Sequence, residues 1–243
     1  FSRRKLKAMT FDGSMRVFLT FVLLGMPAVG VASYFRVKSG QPLPPKLRRY
    51  RAVIVLQIFI ISFTIIVAKR NAVEIFGPVW PSLWSWALAA AYMVLIALSL
   101  RRGFRRLSEQ RKERARILLP EDEAQFRLWI IISVLAGLSE ECAYRGLAYA
   151  AVSHQLRSGA LGVAICSTAF GIAHMLQGWR GVLGTFLMAL VFHALVFLTA
   201  GLYMPIAIHV VYDLVVGYLG MRMLIPPAKT VVAPAQAGSQ GGL

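Results

Sequence analysis

The chain has 243 residues, of which 58% are hydrophobic and 15% charged, with a mean hydropathy of +0.64. Soluble domains run at about 45–50% apolar and about 25% charged, so this composition excludes an ordinary water-soluble fold. The 27 Lys and Arg against 10 Asp and Glu give a net charge of +17, but the basic residues sit in short loops beside apolar stretches, which marks membrane topology rather than a nucleic-acid surface.

Residues 1–15 read as a basic amphipathic lead-in, with Arg3, Arg4, Lys5 and Lys7 among Phe1, Leu6, Met9 and Phe11. Seven apolar segments follow, near 16–35, 52–68, 80–100, 128–150, 158–176, 181–200 and 202–220. Each approaches the roughly 18–20 residues that a spanning helix needs. The first has an alternative reading as a signal sequence, because Ala28-Val29-Gly30-Val31-Ala32 resembles a small-residue cleavage site. The chain begins at Phe1 rather than Met, so a start further upstream is expected.

Between spans, Pro42, Pro44 and Pro45 mark a linker, and Pro78, Trp80 and Pro81 an interfacial turn. Trp80, Trp84 and Trp86 are expected as interface anchors. Residues 101–127 form the one long polar segment, in which Arg102–Arg106 and Glu109–Glu113 repeat at helical spacing beside Leu107 and Ile117 to Leu119. That pattern predicts an amphipathic helix on the headgroup surface, ended by Pro120, with Glu121-Asp122-Glu123 opening the next helix. The loops at 36–51 and 101–127 are placed in the cytoplasm. The tail beyond Ile225 reads as disordered. Three regions result: an N-terminal membrane region at 1–127, a catalytic membrane domain at 128–225 and the tail at 226–243.

An ionisable residue at membrane depth costs several kcal/mol, so it is a functional candidate by default. The fourth span carries Glu140 and Glu141, which point in different directions because adjacent helical residues lie about 100° apart. Glu141 and Arg145 are four apart and suit an ion pair, which leaves Glu140 for a different partner. The fifth span holds His174. The last holds His209 and Asp213, again four apart, where a carboxylate can orient an imidazole. One Glu with two His is a set that activates water, either as a zinc site or as a Glu base with His donors.

Taken in this order, Glu140-Glu141-x-x-x-Arg145, Phe170-x-x-x-His174 and His209-x-x-x-Asp213 resemble the CPBP family of CAAX-type prenyl-protein endopeptidases and bacteriocin-processing or self-immunity (Abi) proteins. Tyr144, Gly146 and the run Gly201 to Ile208 agree with the family's flanks, and the likeness covers roughly 128–220. The resemblance implies an all-α, multi-pass transmembrane bundle of about seven spans with a conical cavity. It also implies that Glu140 activates water aided by His174. His209 and Asp213 would stabilise the oxyanion or complete the site, and Glu141 with Arg145 would support the geometry. The family is called metalloprotease, and a Zn2+ ion on Glu140, His174 and His209, with Glu141 then the available base, is the favoured form of the site; a Glu-based mechanism with no ligated metal is the alternative. Asp213 stands where the prenyl-protein branch typically has Asn, which favours the bacterial Abi-like side and an inner-membrane location. The implied substrate is a hydrophobic or lipidated peptide or protein, with membrane lipids as surroundings and no nucleic acid.

His193 has no polar residue three or four positions away and is read as a packing residue. His154, at a span end near Arg157, is expected to be solvated. Cys142 and Cys166 read as buried small apolar residues rather than a disulfide. Gly159, Gly162 and Gly171 are read as small residues for close helix packing. Two other functions compete with a peptidase. One is a non-enzymatic membrane adaptor or immunity protein. The other is an ion-coupled transporter, for which matching halves are expected and not found in the sequence.

Overall fold

The computed structural model describes residues 11–77 and 80–224. Most of the basic lead-in, Pro78 and the tail from 225 onward lie outside the described residues. The described residues fold as helices and connecting turns without a strand: α1 Gly13–Lys38, α2 Lys46–Arg70, α3 Leu83–Arg105, α4 Glu109–Leu118, α5 Glu123–Glu140, α6 Tyr149–Leu156, α7 Gly159–Ala173, α8 Trp179–Thr199 and α9 Tyr203–Leu224. A π-helical stretch, Glu141–Ala148, joins α5 to α6 without a break.

Helices α1, α2, α3, α8 and α9 are each long and apolar enough to cross a membrane. The outward face of α3 carries Leu83, Trp84 and Leu88 at 87%, 81% and 71% exposure, which suits lipid rather than water. The chain is thus a multi-pass helical membrane protein. The other two of the seven expected segments are helical with shifted limits. The segment expected at 128–150 runs from Glu123 to Leu156 through the π stretch. The one expected at 158–176 is the 15-residue α7, about 22 Å long at about 1.5 Å per residue. Trp80 and Trp84 are exposed near the start of α3, whereas Trp86 packs against a small core of Met93, Phe192, Met204 and Ile208.

Capping explains where the helices begin. Asp122 accepts a hydrogen bond from the Gln125 backbone N–H at 2.8 Å, so the acidic run opens α5 as expected. Ser82 caps α3 and Asp12 caps α1 in the same way. The polar α4 has no buried residue and is held by its end. Lys46 donates to the carbonyls of Arg116 and Leu119 at 2.6 and 3.0 Å, Arg49 to Ile117 at 2.9 Å and Tyr50 to Leu118 at 2.6 Å. These bonds satisfy the orphan carbonyls of the helix end. They also bring the loops after α1 and α3 to one end of the bundle, the arrangement that the basic residues call for. At the opposite end, Asn71 and Asp12 bond to each other through two contacts of 3.1 Å.

Helix α5 lies between α2 and α9 and packs closely on α9 at Gly137. A Cβ there would stand 2.6 Å from Val210 Cγ2. Helix α1 carries a π turn at Phe21–Gly25, in which the Met26 N–H reaches back to Phe21 O. The next bond in that register would come from residue 27, but Pro27 has no N–H. The Tyr144 hydroxyl supplies the missing donor, 3.1 Å from Val22 O.

Candidate active site

The polar residues of α5, the π stretch and α9 converge in the bundle. Glu141 and Arg145 both have fully buried side chains, and Arg145 Nη1 donates to Glu141 Oε1 at 3.1 Å. The expected ion pair is present. The same Oε1 accepts from His209 Nδ1 at 2.8 Å. A carboxylate so placed accepts only, so His209 carries its proton on Nδ1 and turns Nε2 the other way. The Arg145 guanidinium stacks over Phe170 at 4.2 Å and stands 5.5 Å from the Phe192 ring centroid.

The two adjacent carboxylates diverge, yet both address His209. Glu140 Oε2 stands 3.9 Å from His209 Nε2, and Asp213 Oδ2 stands 3.7 Å from it. Both separations exceed hydrogen-bond length. Side-chain exposure rises from 0% at Glu141 through 10% at His209 and 13% at Glu140 to 24% at Asp213. The cluster is sealed on the Glu141 side and opens past Asp213. The main chain of Asp213 is fixed by Trp129, whose Nε1 donates to its carbonyl at 2.8 Å.

Glu140 takes a partner from a span that carries no motif. Gln57 Nε2 donates to Glu140 Oε1 at 2.8 Å, and Ser139 Oγ donates to Gln57 Oε1 at 2.5 Å. Gln57 is the one amide in the apolar stretch 52–68, and a polar group at that depth is the signal that points to it.

His174 caps the end of α7. Its Nδ1 donates to Phe170 O at 2.8 Å, leaving Nε2 for another partner. It joins the cluster through Phe170, whose ring lies 4.6 Å from that of His174 and 6.4 Å from that of His209. Counted along the chain, His174 would sit shallower than Glu140. The continuous helix through α5, the π stretch and α6 removes that mismatch. From the turn at Arg157 and Ser158, Glu140 is about 24 Å back along one helix and His174 about 22 Å along the other, at about 1.5 Å per residue. Among the described residues no three His, Cys, Asp or Glu side chains are grouped so as to hold a metal ion. Of the donors Glu140, His174 and His209, Glu140 and His209 stand 3.9 Å apart and His174 reaches them through Phe170.

Other candidates fall where packing puts them. His193 is 1% exposed, stands 5.2 Å from the Tyr149 ring, and neither of its nitrogens has a hydrogen-bond partner among the described residues. His154 was expected in solvent. It is half-buried instead, because the helix runs on to Leu156. Cys142 and Cys166 are buried free thiols. An apolar cleft of about 680 Å³ lies between α1 and α7, lined by Leu23, Pro27, Ile165, Thr168 and Ile172 among others, and no motif residue lines it.

The fold and this cluster define a class, the helical membrane proteins with a buried acid–imidazole centre. Residues 122–215 match the family described as "Rce1-like: Type II CAAX prenyl endopeptidase Rce1-like". The match takes in Glu140, Glu141, Arg145, His174, His209 and Asp213, and it supports an intramembrane protease activity in general terms. No curated protein and no solved structure matches the chain.

Proposed function

We propose that the chain is an intramembrane endopeptidase that hydrolyses a peptide bond of a lipidated or hydrophobic peptide or protein, with Glu140 as the base that activates water. The observation that carries this reading is the unequal placement of the two carboxylates about His209. Glu141 is sealed and spent on Arg145 and the Nδ1 edge, while Glu140 faces the Nε2 edge on the open side. A pair of titratable groups held in such different surroundings is how acid and base roles are divided.

In the proposed reaction a water between Glu140 Oε2, His209 Nε2 and Asp213 Oδ2 gives its proton to Glu140 and attacks the scissile carbonyl. Glu140 then returns that proton to the leaving amine. His209, fixed through Nδ1 by Glu141, donates from Nε2 to the oxyanion when the ring is an imidazolium. His174, fixed through Nδ1 by Phe170 O, presents Nε2 to the same water or to the substrate carbonyl. Asp213 offers a donor only when protonated, so a strictly prenylated substrate is not required by this site. The bacterial inner membrane is the proposed location, with the 36–51 and 101–127 loops on the cytoplasmic face.

The test is cleavage of quenched peptides, prenylated and unmodified, by the purified protein in liposomes. Glu140→Ala, His174→Ala and His209→Ala are each expected to lower the rate by about 10²- to 10⁴-fold. A strong chelator, with zinc added back, chooses between the two forms of the site: an unchanged rate keeps the Glu base, and a loss restored by zinc replaces it with a metal site. If no peptide is cleaved and all three variants keep full activity in cells, the chain acts instead as an adaptor or immunity protein.

A further inference from the structure

We infer that Gln57, in the second helix and outside every motif, is a positioning residue for Glu140; this rests on the proposed peptidase reading. Gln57 is 4% exposed and Ser139 is fully buried. The orientation of the amide follows from its neighbours. A carboxylate accepts and cannot donate, so the NH₂ end of Gln57 must face Glu140 Oε1, at 2.8 Å. The carbonyl end then faces Ser139, whose hydroxyl donates to it at 2.5 Å. Ser139 is the residue directly before Glu140, so the relay leaves α5, turns through α2 and returns to α5 one residue on.

The relay fixes which carboxylate oxygen is available. With Oε1 held by α2, Glu140 can only present Oε2, and Oε2 is the oxygen that faces His209 Nε2 at 3.9 Å. The groups around Glu140 do not do this job. From α9 come His209 and Asp213, the π stretch holds Glu141 paired with Arg145, and the end of α7 holds His174; none of them holds Oε1. Helix α2 therefore supplies the second anchor that a catalytic carboxylate needs to stay in one rotamer. A side chain that swings out of line by about 1 Å forfeits on the order of 10²-fold in rate.

The experiment compares wild type, Gln57→Met and Ser139→Ala in liposomes on a peptide the wild type cleaves, with melting temperatures as the check on folding. Methionine keeps the volume of Gln57 and removes both polar ends. Gln57→Met is expected to lower kcat by about 10- to 100-fold with KM within about twofold, because the substrate still binds and only the base is displaced. Ser139→Ala frees the amide to turn, and its fall in kcat is expected to be smaller than that of Gln57→Met, again at constant KM. A folded Gln57→Met that keeps wild-type kcat overturns this inference alone. Equal changes in kcat and in melting temperature for a distant core variant of matched stability would show a merely structural role and overturn it too. A wild type that cleaves no peptide, together with Glu140→Ala, His174→Ala and His209→Ala variants that keep full activity in cells, overturns the peptidase reading and this inference with it.

Discussion

Removing Arg145 should unsettle the protein far more than its single hydrogen bond suggests. Its guanidinium and the Glu141 carboxylate are both sealed from solvent, and Glu141 Oε2 has no hydrogen-bond partner among the described residues. Arg145→Met leaves the aliphatic stem and most of the contact with Phe170 and Phe192, but it strands a buried carboxylate. Breaking a buried pair from one side costs about 3–5 kcal/mol, because an uncompensated charge is left behind. For a chain of this size each kcal/mol shifts the melting temperature by roughly 2–4 °C. The expected drop is therefore about 6–20 °C, read by thermal melting of the purified protein in detergent or bicelles. The double variant Arg145→Met with Glu141→Gln removes the stranded charge while its amide oxygen still accepts from His209 Nδ1. It is expected to recover at least half of the loss. A double variant no more stable than Arg145→Met would refute the argument, since the cost would then lie in lost packing rather than in an unpaired charge.

Gly137→Ala places a Cβ 2.6 Å from Val210 Cγ2 and 3.1 Å from the Val210 nitrogen. Because valine is stiff at χ1, α5 and α9 must separate, and overpacking of about 1–3 kcal/mol is expected with a larger loss of cleavage than of stability. Cleavage that falls only in step with melting temperature would count against a shift of Glu140 relative to His209. Tyr144→Phe leaves the Val22 carbonyl unpaired and is expected to cost about 1–3 kcal/mol in the same melting assay. Asp12 is held at a pKa of about 2, below its ordinary 3.8, chiefly by the Ser14 hydroxyl and the Met15 N–H, then by Asn71 and Arg70. A lowered carboxylate stabilises the fold above its unfolded pKa and ceases to as pH falls through its folded one. The melting temperature should thus decline between pH 3.8 and about 2, and Asp12→Ala should flatten that part of the profile.

Much of the candidate site was legible because charge at membrane depth is costly and therefore conspicuous. That rule picks out Glu140, Glu141, Arg145, His209 and Asp213, and the structure gathers the three carboxylates about the His209 imidazole, with Arg145 paired to Glu141. The four-residue spacing of Glu141 and Arg145 survives the π stretch, because a wider turn still leaves positions four apart on neighbouring faces. The same rule passes over Gln57, since a neutral amide in an apolar run raises less alarm than a charge. The π turns at Phe21–Gly25 and Glu141–Ala148 leave no trace in a periodicity argument. The first arises where a tertiary partner, the Tyr144 hydroxyl, takes over a bond the helix gives up. Helix limits were misjudged where polar residues continue an apolar helix, as at Ser153 to Gln155, beyond the limit of 150 read from the sequence.

The bond between Tyr144 and Val22 joins residues 122 positions apart in the chain. At synthesis rates of roughly 5–20 residues per second, the carbonyl emerges on the order of 10 s before its donor does. In hydrocarbon an unpaired carbonyl is costly, so until then the first helix has reason to remain near the water-filled insertion channel, or to borrow a hydroxyl from a lipid headgroup. Assembly of this protein is accordingly expected to be late and concerted. The first helix commits to its final place only when the helix bearing the glutamates arrives.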